Sequence, residues 1–387
     1  MKKTFSLLAL ALGLMCSCSP KQEAQLTVSG LNPAAFDSTI NGKKTALYVL
    51  KNNNGMEVCI TNYGGRVVSL VVPDKDGNPT DVVLGYDNIA QYADTVNSPS
   101  DYGSSVGRYA NRIKDGKITV DGKEYQLRQN DGSHCLHGGG NTGWMHQVMD
   151  AEQIGDSILK LTLAAADGEN GFPGNVTATT TYRVTADNTL DITWEATTDK
   201  ETVINMTNHN YYNLNGDPSK EGMDQLLYVN ADRFTPSDKT FMTTGEFVEV
   251  EGTPMDFRTA HAMADSINSS YEQIQNAMGY DHNYCLNTYQ NGKGDDTQVC
   301  ASLYSPKTGI FMEMFTNEPG VQVYTGNFQG TGIACKKGVK YPKHVSVCLE
   351  SQKYPDSPNK AGENWPGATL KPGEKYFSHA AYKFSVK

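Results

Sequence analysis

The feature that most constrains this chain is apolar alternation with a period of two, broken at short intervals by turn dipeptides. Leu159, Leu161 and Leu163 alternate with Lys160 and Thr162; Leu190, Ile192, Trp194 and Ala196 alternate with Asp191, Thr193 and Glu195. Successive side chains of a strand face opposite ways, so such runs read as half-buried antiparallel strands. Leu47 to Leu50, Asn54-Gly55 and Met56 to Ile60 predict a hairpin, and Ile118 to Val120, Asp121-Gly122 and Lys123 to Leu127 predict another. Asn-Gly and Asp-Gly supply the positive φ angles of a tight turn. Helical periodicity is scarce. Its best stretch is Asp265 to Met278, with Ile267, Tyr271, Ile274 and Met278 on one face. No doubly wound alternation of strands and helices occurs. The expected fold is all-β: one large antiparallel β-sandwich domain over residues 42–387.

Composition agrees. The 387 residues are 38% apolar and 20% charged, a folded chain. A formal charge of −10 argues against a sequence-independent grip on nucleic acid or on anionic lipid headgroups.

Residues 1–18 read as an export signal. Lys2 and Lys3 precede a short apolar run from Phe5 to Met15, too short for a permanent membrane span. The run ends Met15-Cys16-Ser17-Cys18, which resembles a lipoprotein cleavage site with Cys18 as the lipid acceptor; Cys16 would put the bulky Met15 at the cut. The expected location is a membrane anchor facing the periplasm or cell surface, or otherwise the periplasm. Residues 19–41 are expected to be a polar tether. The other six cysteines lack a CxxC or a tight Cys/His cluster, so they are expected to be small buried hydrophobes rather than zinc ligands.

Polar functional residues crowd into six loop-like clusters: Gly107 to Ile113, Leu136 to Gly140, Thr207 to Leu214, Gly279 to Asn283, Pro319 to Asn327, and Leu349 to Asp356. Singly each is weak. Glu350 stands out because it follows the apolar run Val345 to Leu349; a carboxyl there either finds a cation or is raised by desolvation. Together the clusters offer histidines, acids, amides, one Arg and aromatics. That set suits a neutral polyhydroxylated ligand, and one His with one Glu suits proton transfer near neutral pH. Asp74 to Asn78 looks like an EF-hand start. Pro79 stands where Gly is needed and Gly85 where Glu is needed, so a turn is expected there. No metal ligand is assigned. A Ca2+ elsewhere is left open, without a motif to support it.

The region from about Gly55 to Val386 resembles the aldose 1-epimerase (galactose mutarotase) family. The resemblance is carried by Thr61-Asn62-Tyr63-Gly64-Gly65, Val82-Val83-Leu84-Gly85-Tyr86, the Gly107 to Ile113 run, Leu136-His137-Gly138-Gly139 and Asp167 to Gly174. It continues through Asn208-His209-Asn210-Tyr211-Tyr212-Asn213-Leu214, Tyr280-Asp281-His282, Pro319 to Phe328, and Leu349-Glu350-Ser351-Gln352. Departures are Asn210 where Ser is expected, Ser351 where Thr is expected, and a longer Gly140 to Trp144 stretch.

The resemblance implies the galactose mutarotase-like supersandwich and interconversion of α and β anomers of free hexoses such as glucose and galactose, with no required cofactor. It implies His209 as proton donor to the ring oxygen and Glu350 as base at the anomeric hydroxyl. Asn111, Arg112, His137, Asn210, Tyr211, Asp281 and Gln322 become sugar contacts, and the partner is a small aldose bound by a monomer. Three rivals remain: an enzyme for hexose 6-phosphates, a non-catalytic sugar-binding module, and a polysaccharide lyase or hydrolase.

Overall fold

A computed structural model describes residues 25–362 and 364–387. The leader expected over residues 1–18, with Cys18, lies outside the described residues. Three antiparallel sheets make the frame. The largest has nine strands, in the order Asp150–Ile154, Ile158–Ala165, Val176–Val184, Thr189–Thr198, Tyr376–Val386, Ile310–Thr316, Ala301–Tyr304, Leu226–Val229 and His261–Ala262. A five-stranded sheet orders Val248–Glu249, Arg233–Thr235, Asp281–Cys285, Gly320–Tyr324 and Cys348–Gln352. A four-stranded sheet joins Leu47–Lys51, Glu57–Thr61, Arg66–Pro73 and Pro79–Asp81 in chain order.

One apolar core lies between the nine-stranded sheet and the other two. Leu159, Leu161, Leu163, Ile192 and Trp194 enter it from one side; Val58, Ile60, Val321, Val323 and Leu349 enter from the other. The period-two runs therefore act as the alternation predicted, one face packed and one face turned outward. Trp194 also donates its indole N–H to Ser105 Oγ at 3.1 Å. Ser105 lies on the short strand Ser104–Val106, which pairs with Thr207–His209. The core thus fixes the strand that carries His209.

Local differences from the sequence expectations have physical causes. The Asp121-Gly122 hairpin is a two-residue turn, with both residues at positive φ and Val120 opposite Lys123. The Asn54-Gly55 hairpin is wider: its last pair is Lys51 opposite Glu57, and Asn52 Oδ1 accepts from the backbone N–H groups of Asn54 and Met56. A side chain that organises the loop this way replaces the tight turn. The expected helix over Asp265 to Met278 shrinks to Glu272–Ala277 after a 3-10 turn at Met263–Asp265. Ser269 Oγ accepts the Tyr271 N–H, and Met278 adopts φ 56° at the C-terminus, 45% exposed. Ser competes for backbone groups and so delays the helix. Asp74 caps a turn by accepting the N–H groups of Asp76 and Asn78.

The polar tether expected over residues 19–41 is corrected from residue 25 onward. Pro33–Phe36 forms a 3-10 turn, Ser38–Ile40 pairs with Lys43–Thr45, and Leu31 and Phe36 are buried with Tyr92. Leu31 and Phe36 hold this segment on the domain because their burial removes apolar surface from water, a gain that a solvated tether cannot make. All six cysteines from Cys59 to Cys348 are buried free thiols, and burial pushes Cys300 up to about 12. Among the described residues no helix is long and apolar enough to cross a membrane.

On the outer face His379 sits between two carboxylates, Nδ1 2.7 Å from Asp296 and Nε2 3.1 Å from Asp191. Burial works to lower this imidazole, but the two hydrogen-bonded carboxylates outweigh it and raise it above the ordinary 6.5. A raised imidazole stabilises the fold below its unfolded value and loses that contribution as pH rises through its folded value. His379→Gln is expected to cost roughly 1 kcal/mol near pH 5.5 and little near pH 9. Urea unfolding at the two pH values checks this.

Candidate active site

The site begins with sheet parity. In the five-stranded sheet Gln322 lies opposite both Asn283 and Glu350. Val321, Val323 and Leu349 point into the core, so Gln322 and Glu350 point to the opposite face. There they line a cavity of about 250 Å³ with Asp281, Asn111, Arg112, His137, His209 and Tyr211. That volume falls just below the roughly 300–1,000 Å³ common for drug-sized ligands and suits one small molecule better than a polymer.

A chain of amides aligns the floor. Asn111 Nδ2 donates to Gln352 Oε1 at 3.4 Å, Gln352 Nε2 donates to Gln322 Oε1 at 3.1 Å, and Gln322 Nε2 donates to Asp281 Oδ1 at 2.7 Å. Each amide has its donor and acceptor ends fixed by its neighbour, so the unused ends facing the cavity are fixed as well. Arg112 is steered by Asp131, whose Oδ2 accepts from Nε at 2.7 Å, and its guanidinium lies over Phe241.

His137 follows a tight bend. It takes φ 51°, and a Cβ at Gly138 would stand 2.4 Å from the Gly107 carbonyl oxygen, so only glycine fits there. The Asn111 backbone N–H donates to His137 Nδ1 at 3.2 Å. That hydrogen bond assigns the other ring nitrogen, Nε2, as the protonated one. Burial pushes this imidazole down to about 3, and the neighbouring His209 adds to the effect. His137 is therefore a neutral hydrogen-bond donor.

His209 Nε2 lies 3.5 Å from Glu350 Oε1, and both side chains are at most 5% exposed. The separation is long for a hydrogen bond, so neither atom is committed to the other. The His209 ring stacks on Tyr211, centroids 4.9 Å apart and planes 18° apart, and meets His137 and Tyr324 edge-on. His209 Nδ1 and Glu350 Oε2 are buried without a hydrogen-bond partner among the described residues. Burial lowers the imidazole, against the opposing charge of Asp101. Burial raises the Glu350 carboxyl well above the ordinary range; Asp281 and Asp101 add to this, and Arg112 opposes it. An imidazole pushed down and a carboxyl pushed up approach each other in proton affinity.

Eight of the nine residues assigned from sequence line this cavity: Asn111, Arg112, His137, His209, Tyr211, Asp281, Gln322 and Glu350. Asn210 does not. Between two cavity-facing neighbours it points the other way, and its Nδ2 donates to the Tyr212 hydroxyl at 3.0 Å. Asn210 is a buried support behind the site, not a sugar contact. The sequence clusters missed Asp101 and Tyr102, which also line the cavity. Their segment, Ser98 to Tyr102, resembles an ordinary surface turn; its proximity to His209 comes only from strand pairing. Tyr324 and Phe328 complete the wall from the already noted Pro319 run.

Asp101, His137 and His209 present ligand-type atoms within 4.8 Å of one another. With Nδ1 accepting the Asn111 amide, His137 Nε2 carries the proton and offers no lone pair, which leaves at most two ligands in that trio. What remains is an acid–base pair beside hydrogen-bonding groups for hydroxyls, with aromatic rings around them.

The chain matches the aldose 1-epimerase family model over residues 46–383. It is 35% identical over 354 residues to galactose mutarotase of Bos taurus, covering 91% of this chain and 98% of that protein. It is 35% identical over 344 residues to aldose 1-epimerase of Escherichia coli K12, covering 89% and 96%. Among solved structures, a galactose 1-epimerase from Lactobacillus acidophilus superposes with a TM-score of 0.78 at 29% identity, over 90% of this chain and 97% of that one. A GalM/aldose epimerase homologue from C. elegans gives 0.79 at 28% identity, over 88% and 99%.

Because Asn210 faces away, Asn210→Ala is expected to leave the sugar KM within about twofold and to lower stability by about 1 kcal/mol through the lost Tyr212 hydrogen bond. Steady-state kinetics beside urea unfolding checks both halves.

Proposed function

The chain belongs to the aldose 1-epimerase family and interconverts the α and β anomers of free hexoses, and we propose that His209 and Glu350 carry the proton transfers. This is isomerase chemistry within carbohydrate metabolism, redox-neutral and without a required cofactor. The observation that carries the assignment is the 3.5 Å approach of His209 Nε2 to Glu350 Oε1 at one wall of a sugar-sized cavity.

A hexopyranose opens when its anomeric hydroxyl loses a proton and its ring oxygen gains one. The two oxygens share one carbon, so the base and the acid must stand side by side. Glu350 takes the hydroxyl proton and His209 gives one to the ring oxygen. The C1–O5 bond breaks, leaving an open-chain aldehyde. Rotation about C1–C2 presents the other carbonyl face, and closure returns both protons in reversed roles. His137, a neutral donor, holds an oxygen near the anomeric centre without competing for the proton. Asp281 and Gln322 take hydroxyls on the far side, ordered by their mutual hydrogen bond. Arg112 is the only Lys or Arg among the described residues lining the cavity and is already paired with Asp131, which favours a neutral sugar over a phosphorylated one.

Each positioned proton transfer is worth about 10²–10⁴-fold. Glu350→Gln keeps the shape and removes the base, so turnover of freshly dissolved α-glucose or α-galactose should fall by roughly 10²–10⁴ while sugar binding survives. His209→Asn should behave alike. Polarimetry reads the rate and calorimetric titration reads the binding. Retention of more than about a tenth of wild-type turnover removes the residue from its role.

We further propose that the protein is an exported, monomeric lipoprotein anchored through Cys18 and handling hexoses released outside the cytoplasm. The support is the charged, apolar and small-residue order of residues 1–18. Expressed in a bacterium with radiolabelled palmitate, the wild type and Cys16→Ser should be labelled and Cys18→Ser should not. Label persisting in Cys18→Ser refutes the anchor.

A further inference from the structure

Asp101 has no part in the proton transfers described above, yet its half-buried carboxylate faces them. It lines the cavity, and its oxygen lies within 4.8 Å of ring nitrogens of His137 and His209. The segment that presents it is fastened on both flanks. The fully buried Arg66 guanidinium donates to the Ser100 carbonyl at 3.2 Å, to the Tyr102 carbonyl at 3.1 Å and to the Met145 carbonyl at 3.0 Å. Ser104 N–H and Oγ–H both donate to the Asp101 carbonyl, at 3.0 and 2.9 Å. The next residues are sewn to the strand of His209. Gly103 N–H donates to the His209 carbonyl at 3.0 Å, and Asn208 Nδ2 donates to the Gly103 carbonyl at 2.9 Å. Backbone ties of this kind fix the distance between a carboxylate and an imidazole better than a flexible surface loop could.

We propose that Asp101 is a positioning residue for the acid–base pair: its carboxylate, fixed beside His209 by Arg66 and the Ser104 turn, stabilises the protonated imidazole that delivers a proton to the ring oxygen. The assignment rests on His209 being that donor. His209 alone in a buried pocket would shed its proton, and the charges facing it decide how far. Those groups are Glu350, Asp101, His137, Tyr211 and Tyr324 around the ring, with Arg66 behind. Glu350 in turn faces Asp281, Asp101, Arg112 and Cys348. Asp101 favours the proton on His209 and on Glu350 alike, while Arg66 opposes it at His209. Asp101 itself stays ionised: burial works to raise its carboxyl, but the protonated His209 and the Arg66 guanidinium help hold it below the ordinary value.

Removal of this charge lowers the proton affinity of both members of the pair. In Asp101→Asn both flanks of the kcat/KM profile should move to lower pH, and Asp101→Glu should restore the wild-type profile. If the Asn variant does not fold, Asp101→Ser removes the same charge. His209 is read directly by NMR of histidine-labelled protein, its signal identified by its absence in His209→Asn. Its titration midpoint should fall by about one pH unit without the Asp101 charge. Three results would overturn the proposal: an unmoved His209 midpoint, a His209 that stays neutral across the range in both proteins, or a higher KM with an unchanged pH profile, which makes Asp101 a plain sugar contact. The NMR arm needs no turnover, so it separates failure here from failure of His209 as the donor.

Discussion

Burial of a carboxyl and an imidazole side by side, with neither given a full-strength partner, is the constraint on which the site depends. Leaving such groups out of water is costly unless something satisfies them. Glu350 Oε2 and His209 Nδ1 remain unpartnered within the described residues, and the residues around the pair settle its proton affinities by charge rather than by direct bonds. Asp281 and Asp101 raise Glu350, Arg112 checks that rise, and burial draws His209 down toward it. The sandwich supplies the rigidity to hold this arrangement. Leu349 is locked in the core immediately before Glu350, and Trp194 holds Ser105 behind the strand of His209.

The cavity walls differ in kind, and the difference separates recognition from chemistry. One side carries Asn111, Gln322 and Asp281, joined through the buried amide of Gln352 so that each member fixes the next. Such a wall reads hydroxyl positions through hydrogen bonds of set polarity. The other side is aromatic and imidazole, with His209 stacked on Tyr211 and Tyr324 edge-on to both. His209 on this side and Glu350, opposite Gln322 on the first, are the pair proposed to exchange protons. The rival assignments fare poorly against this geometry. A phosphate would meet one Arg already paired with an acid, and a cavity of about 250 Å³ suits one small molecule better than a polysaccharide.

His137 illustrates how a backbone group can assign a role. Nothing in Leu136-His137-Gly138-Gly139 says whether the imidazole is an acid, a ligand or a donor. The Asn111 amide on Nδ1 makes it a donor, and Asn111 can offer that amide only because the Arg112–Ile113 strand pairs with Cys135–Leu136.

The sequence by itself determined the all-β class, the antiparallel character of the strands and the list of residue types in the site. Period-two alternation and Asp-Gly turns act within a few residues and need no distant partner to be legible, as at Leu159 to Leu163 and Asp121-Gly122. Glu350 was legible because it follows the apolar run Val345 to Leu349, whereas Gln322 entered as a sugar contact only through the family resemblance. Where distant backbone ties set the outcome, local patterns gave no warning. Asn210 and His209 are neighbours in one motif, yet strand parity places only His209 in the cavity. Phe36 looked like part of a linker until the core offered it a place. Asp101 lies in an unremarked turn and reaches the imidazoles because Arg66 and the His209 strand hold that turn in position. Tertiary structure decided these cases because the fixing hydrogen bonds and apolar contacts join residues dozens to hundreds of positions apart, beyond the reach of any local periodicity.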